Sequence, residues 1–111
     1  MDYSIEYKYV EEKKYWQVKV FGEIDIFSSQ EFKSNLVELL NECVADLRID
    51  CSELNYMDST ALGSLVGALK NVKALNRELY LHNVKPNLKK LFKITNLDKA
   101  FLIEGDDNER S

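Results

Sequence analysis

Asp58, Ser59 and Thr60 stand between a strand-like run and a helix-like run, and their types and order bear on phosphate chemistry. Asp58 occupies an N-cap position, where a carboxylate accepts a backbone N–H that the helix leaves unpaired. Ser59 and Thr60 follow in the first turn, two hydroxyls beside free N–H groups and the positive end of the helix dipole. A phosphate ester formed there would add about −1.5 to −2 charge at a place that already suits an anion. The same three residues are also ordinary capping chemistry, found in helices that are never modified.

Other chemistry has little to stand on. His82 is the single histidine and falls among Leu79, Leu81 and Val84 of a strand-like run, with no second general base beside it. Ser59 lacks an activating base, and the four glycines are scattered rather than gathered in a phosphate loop. Asp25, Asp50 and Asp58 each follow or end a strand, and their convergence at one sheet end would suit Mg²⁺. They have no ligand spacing, so no metal and no catalytic residue is assigned. Cys43 and Cys51 fall on apolar faces without metal-ligand partners, which fits buried thiols better than a disulfide.

The elements that must position Ser59 are legible from periodicity. Tyr3, Ile5, Tyr7 and Tyr9 alternate with polar residues as a first strand. Tyr15 to Phe21 form a second strand with Trp16, Val18 and Val20 on one side, and the short link between them predicts an antiparallel hairpin. Gly22-Glu23-Ile24-Asp25 breaks this pattern. Ser28 with Glu31 then reads as a capping box before the stripe Phe32, Leu36, Leu39, Leu40, Cys43. A third strand, about Asp46 to Cys51, feeds the Asp58 junction and a helix over 59–75, carried by Leu62, Leu65, Val66, Leu69 and Val72. Leu79 to Val84 are a fourth strand, Pro86 opens a short helix, Asn96 suits a left-handed C-cap, and Phe101 to Ile103 are a last strand. The order β-β-α-β-α-β-α-β predicts an α/β fold, a mixed sheet of about five strands whose parallel part is covered by three to four helices.

Composition bounds the function. The chain has 111 residues, 45% hydrophobic and 31% charged, as expected of one soluble domain over 1–104. Residues 105–111 read as an acidic tail expected to fray, and the stretch from Glu104 carries most of the net charge of −4. The body is near neutral, which argues against a nucleic-acid partner. Lys85, Lys89, Lys90 and Lys93 read as a solvated face opposite Leu88, Leu91 and Phe92. No apolar run has the length of a membrane span and no signal peptide is evident, so a cytoplasmic location is expected.

Three segments carry a resemblance: Gly22-Glu23-Ile24-Asp25; Met57-Asp58-Ser59-Thr60-Ala61-Leu62-Gly63; and Asn83-Val84 with Leu91-Phe92 and Asn96-Leu97-Asp98-Lys99. Together with the element order they resemble the anti-sigma factor antagonists, small single-domain members of the STAS (sulfate transporter and anti-sigma antagonist) fold. The resemblance implies a partner-switching protein without a cofactor. Its unphosphorylated form would bind an anti-sigma factor with serine-kinase activity and so free a sigma factor; phosphorylation would abolish binding and a phosphatase would restore it. The implied acceptor is Ser59. The implied partner-binding residues are Glu23, Asp25, Asp58, Ser59, Thr60, Ala61 and Gly63. The family usually has glycine where this chain has Ala61, a change that favours the helix by about 1 kcal/mol and adds a methyl able to obstruct a close backbone approach. A monomer or weak homodimer is expected. The alternative is a constitutive STAS scaffold or subunit of a stress-signalling or lipid-transport complex, in which Ser59 serves only the helix start. An enzyme using the carboxylates near Asp25 and Asp58 is the weakest reading, for want of a base or a ligand cluster.

Overall fold

The computed structural model describes residues 2–104. β1 (Tyr3–Val10) and β2 (Tyr15–Ile24) form the expected hairpin. Its turn closes where Lys14 takes a positive φ of 60° and donates its N–H to Val10 O at 2.7 Å. α1 (Ser29–Glu42), β3 (Asp46–Met57), α2 (Ser59–Ala74), β4 (Leu79–His82), α3 (Pro86–Ile94) and β5 (Leu102–Glu104) follow. The five strands lie in sequence order, with β1 antiparallel to β2 and every later pair parallel. The α/β class and the element order are as the sequence predicts. The acidic stretch 105–111 lies outside the described residues.

Consecutive parallel strands in sequence order, joined by right-handed crossovers, put every helix on one face of the sheet. The burial agrees. Trp16, Val18 and Val20 of β2, Leu47 and Ile49 of β3, and Leu79 and Leu81 of β4 are buried in one core. That core also holds Phe32 and Leu36 of α1, Leu65 and Val72 of α2, and Leu88 and Phe92 of α3. Trp16 also donates its indole N–H to Cys43 O at 2.9 Å, fixing the end of α1 to β2. Helices therefore cover one face of the parallel strands, not both.

The opposite face is polar. Along one register line lie Lys19, Asp50, His82 and Glu104. Beside them Arg48 stacks between the rings of Tyr15 and Tyr80, at 5.1 Å and 4.1 Å. Its guanidinium donates to His82 Nε2 at 3.0 Å and to Glu104 Oε1 at 3.3 Å. His82 is thus a link among the last three strands.

Two strands run further than their sequence pattern predicts. β2 passes through Gly22 to Ile24, because glycine at φ 92° bends the chain while the ladder to β3 continues beyond a register shift. A side chain at Gly22 would strike the Asp2 carbonyl. β3 continues to Met57, since the longer β2 pairs Glu23 with Tyr56 and Ile24 with Met57. β4 stops at His82, where Asn83 turns to φ 57°. Asn96 takes the expected left-handed conformation, φ 62°.

Candidate functional site

The β3–α2 junction and the β2–α1 loop meet at one carboxylate. Asp58 is the N-cap of α2, and its Oδ1 accepts the Ala61 N–H at 2.8 Å. Its Oδ2 accepts the Ile26 N–H at 3.0 Å, and its own N–H reaches Ile24 O at 3.3 Å. One cap therefore fixes both the start of the helix and the loop beside it. An N-cap of this kind contributes about 1 kcal/mol.

The loop has its own reciprocal cap. Asp25 Oδ1 accepts from the N–H groups of Phe27 and Ser28, at 2.9 Å and 3.2 Å. Ser28 Oγ in turn accepts the Asp25 N–H at 3.0 Å. This is capping-box logic placed three residues earlier than the sequence pattern predicts. Ser28 makes no side-chain bond into α1, so the Ser28–Glu31 box does not form. Asp25 wins because a carboxylate at the start of the turn satisfies two N–H groups at once. Partial burial pushes the Asp25 carboxyl up, but the bonds from the Phe27 and Ser28 N–H groups and the Ser28 hydroxyl contribute to a net shift below its ordinary value.

Asp25 and Asp58 come together through Ile26, whereas Asp50 does not join them. Asp50 lies mid-strand on the open sheet face, bonded to the Ser52 N–H and the Asn83 side chain. Burial raises the Asp50 carboxyl, and those bonds with Lys19 nearby bring it below the ordinary value. The three-carboxylate convergence is thus absent.

The remaining site residues sort by exposure. Ser59 and Thr60 are exposed in the first turn of α2. Gly63 is also exposed, and a Cβ there would meet no described atom within 4 Å beyond its chain neighbours and its own helix backbone. Glu23 is half-buried beside Tyr56, its N–H bonded to Asp2 O at 3.0 Å. Ala61 is 0% exposed. Its methyl faces the core and cannot obstruct an approaching partner; only its backbone N–H serves the site, through the cap.

Periodicity passes over the apolar residues around this group. Phe27 is 90% exposed, Ile26 62% and Tyr56 46%. Ile26 and Phe27 sit inside the capped loop, and Tyr56 is two residues from Asp58 in sequence. The available signal was an apolar pair between Asp25 and Ser28, before the α1 stripe begins. Polar groups, an exposed hydroxyl pair and large uncovered side chains thus share one end of the sheet, the usual end for ligands in parallel α/β folds.

The STAS domain family model matches residues 8–109. An anti-sigma-B factor antagonist of Staphylococcus aureus (strain NCTC 8325 / PS 47) is 35% identical over 97 residues, covering 86% of this chain and 90% of the relative. This chain belongs to the STAS family of anti-sigma factor antagonists. Solved STAS structures share its fold. A putative anti-sigma factor antagonist from Thermotoga maritima has a TM-score of 0.78 at 23% identity, over 96% of this chain and 89% of that one. SpoIIAA, an anti-sigma factor antagonist, matches in its unphosphorylated form with a TM-score of 0.71 at 18% identity, over 96% and 93% of the two chains. The Bacillus SpoIIAA in phosphorylated form gives 0.70 at 19%, over 96% and 95%. Among the described residues of this STAS domain no helix is long and apolar enough to cross a membrane.

Proposed function

We propose that this antagonist is a phosphorylation-controlled binding module acting in the cytoplasm on an anti-sigma factor with serine-kinase activity. The unphosphorylated chain binds that partner and frees a sigma factor; a phosphate on Ser59 ends the contact, and a phosphatase restores it. The observation that carries this reading is the position of Ser59. It is exposed in the first turn of α2, next to the Asp58 cap, which also holds the loop that carries the uncovered Ile26 and Phe27. SpoIIAA, a structural relative, occurs in phosphorylated and unphosphorylated forms, in keeping with the reading.

The switch is electrostatic and steric. A phosphate at Ser59 brings about −1.5 to −2 charge next to Asp58, which the helix N-terminus offsets only in part. The fold needs no rearrangement to hold it. A partner surface closing over the same point would have to desolvate an unpaired dianion. A coupling of ~1–3 kcal/mol weakens binding roughly 5- to 150-fold, enough to exchange partners.

Incubation with an anti-sigma kinase and ATP, followed by peptide mapping of the 57–70 region, tests this. One phosphate on Ser59, with loss of binding, is expected. Ser59→Ala should bind and stay bound with ATP present, and Ser59→Asp should bind more weakly. Phosphate on Thr60 would move the acceptor; an unmodified chain and unaltered variants would favour the constitutive scaffold. Amide NMR shifts should change near Ser59 alone, and widespread changes would overturn the exclusion mechanism.

A further inference from the structure

β1 is one edge of the sheet, and among the described residues nothing pairs with its outer side. Eight residues long, it presents a run of backbone N–H and C=O groups directed away from β2. The other edge, β5, has three residues among those described. Natural edges are often protected by a charge that repels a second strand. β1 carries two charges instead, Glu6 and Lys8, of opposite sign and on the same sheet face, with the exposed Tyr7 between them on the other. That arrangement complements itself.

We propose that β1 pairs antiparallel with β1 of a second copy, in the register that places Tyr7 on the two-fold axis. Such an axis stands perpendicular to the sheet and keeps like faces together, so each residue lies opposite one of the same face. Glu6 then faces Lys8 of the second copy and Lys8 faces its Glu6, two opposite-charge pairs from one strand. On the helix side Ile5 faces Tyr9 of the second copy, and the two Tyr7 rings meet on the axis. Registers centred on Glu6 or on Lys8 instead set like charges against each other at the axis. The pairing joins two five-stranded sheets into one continuous sheet. The two Ser59 sites then point to opposite ends, both open to partners. A single shared edge buries less than the roughly 1,200 Å² of standard interfaces, so the association is weak and concentration-dependent.

Sedimentation of the full chain from about 10 μM to 1 mM tests the pairing, with dimer appearing as concentration rises. Glu6→Lys and Lys8→Glu should each weaken association about tenfold, because either change turns two attractive pairs into two repulsive ones. Glu6→Lys also reduces the net negative charge of −4, so a general charge effect would strengthen association. The double variant Glu6→Lys/Lys8→Glu should restore the parent strength. A monomer at every concentration would overturn the proposal. So would a dimer indifferent to Glu6→Lys, or one the double variant fails to restore. Both side chains are exposed, and circular dichroism of each variant separates lost pairing from lost fold.

Discussion

Asp58 and Ile26 are 32 residues apart in sequence, yet the Asp58 carboxylate holds the Ile26 N–H at 3.0 Å. The other oxygen of the same group caps α2 through Ala61 at 2.8 Å. The helix bearing Ser59 and the loop bearing Phe27 are therefore positioned by one side chain.

Asp58→Ala should cost about 1–2 kcal/mol in urea unfolding, the upper part of the range for a lost cap, because two N–H groups lose their acceptor. Hydrogen exchange should quicken at both Ile26 and Ala61. An Ile26 amide that keeps its exchange rate would show that the loop is held by other contacts.

Gly63→Ala should leave the fold intact and raise stability by up to about 1 kcal/mol, since alanine suits a helix interior better. Apart from its chain neighbours and the backbone of its own helix, the added Cβ meets no atom of the described residues within 4 Å. If a partner backbone approaches α2 closely, affinity should fall while the melting temperature holds or rises. Calorimetric titration against the anti-sigma partner checks it, and unchanged affinity would remove Gly63 from the contact.

Phe27→Ala should change stability by no more than about 0.5 kcal/mol, as expected of a surface substitution. A ring that is 90% exposed makes few contacts within the chain. Binding should weaken by about tenfold or more, the behaviour of an aromatic anchor in an interface. Equal affinity for both proteins would leave the exposed ring without a role in that contact.

Stability should decline as pH falls below about 6.5, the ordinary histidine value, through the His82 link. Burial lowers the His82 pKa; Glu104 and Asp50 oppose the shift and Arg48 adds to it, leaving it below 6.5. Because Arg48 can only donate, His82 Nε2 must accept and therefore carries no proton. The unfolded chain then binds a proton that the folded chain resists. Stability from this source is full above about pH 6.5 and is lost as pH falls through the lower folded value. Urea midpoints between about pH 8 and 5.5 should fall in the parent and flatten in His82→Gln. Equal slopes would place the titrating group elsewhere.

Much of the fold was legible because its signals are local. The two-residue alternation around Trp16, Val18 and Val20 and the helical stripe from Leu62 to Val72 each state which face must leave water. Asp58 before Ser59 likewise specified a cap whose first bond lies within its own helix. Pro86 and Asn96 marked the start and the aftermath of α3 for equally local reasons.

Tertiary structure decided what depends on a distant partner. β3 runs to Met57 because a bent β2 supplies a ladder beside it, and nothing in residues 52–57 alone announces that. The cap before α1 fell to Asp25 over Ser28 once the loop was folded against Asp58. Ala61 turned its methyl into the core, and Asp50 was carried away from Asp25 and Asp58 along its strand. Phe27 was left 90% exposed in the loop that Asp58 holds through Ile26. Periodicity reports which side chains within an element must be buried together. Which elements meet, and which apolar side chains remain uncovered where they meet, is fixed only by contacts between residues far apart in sequence.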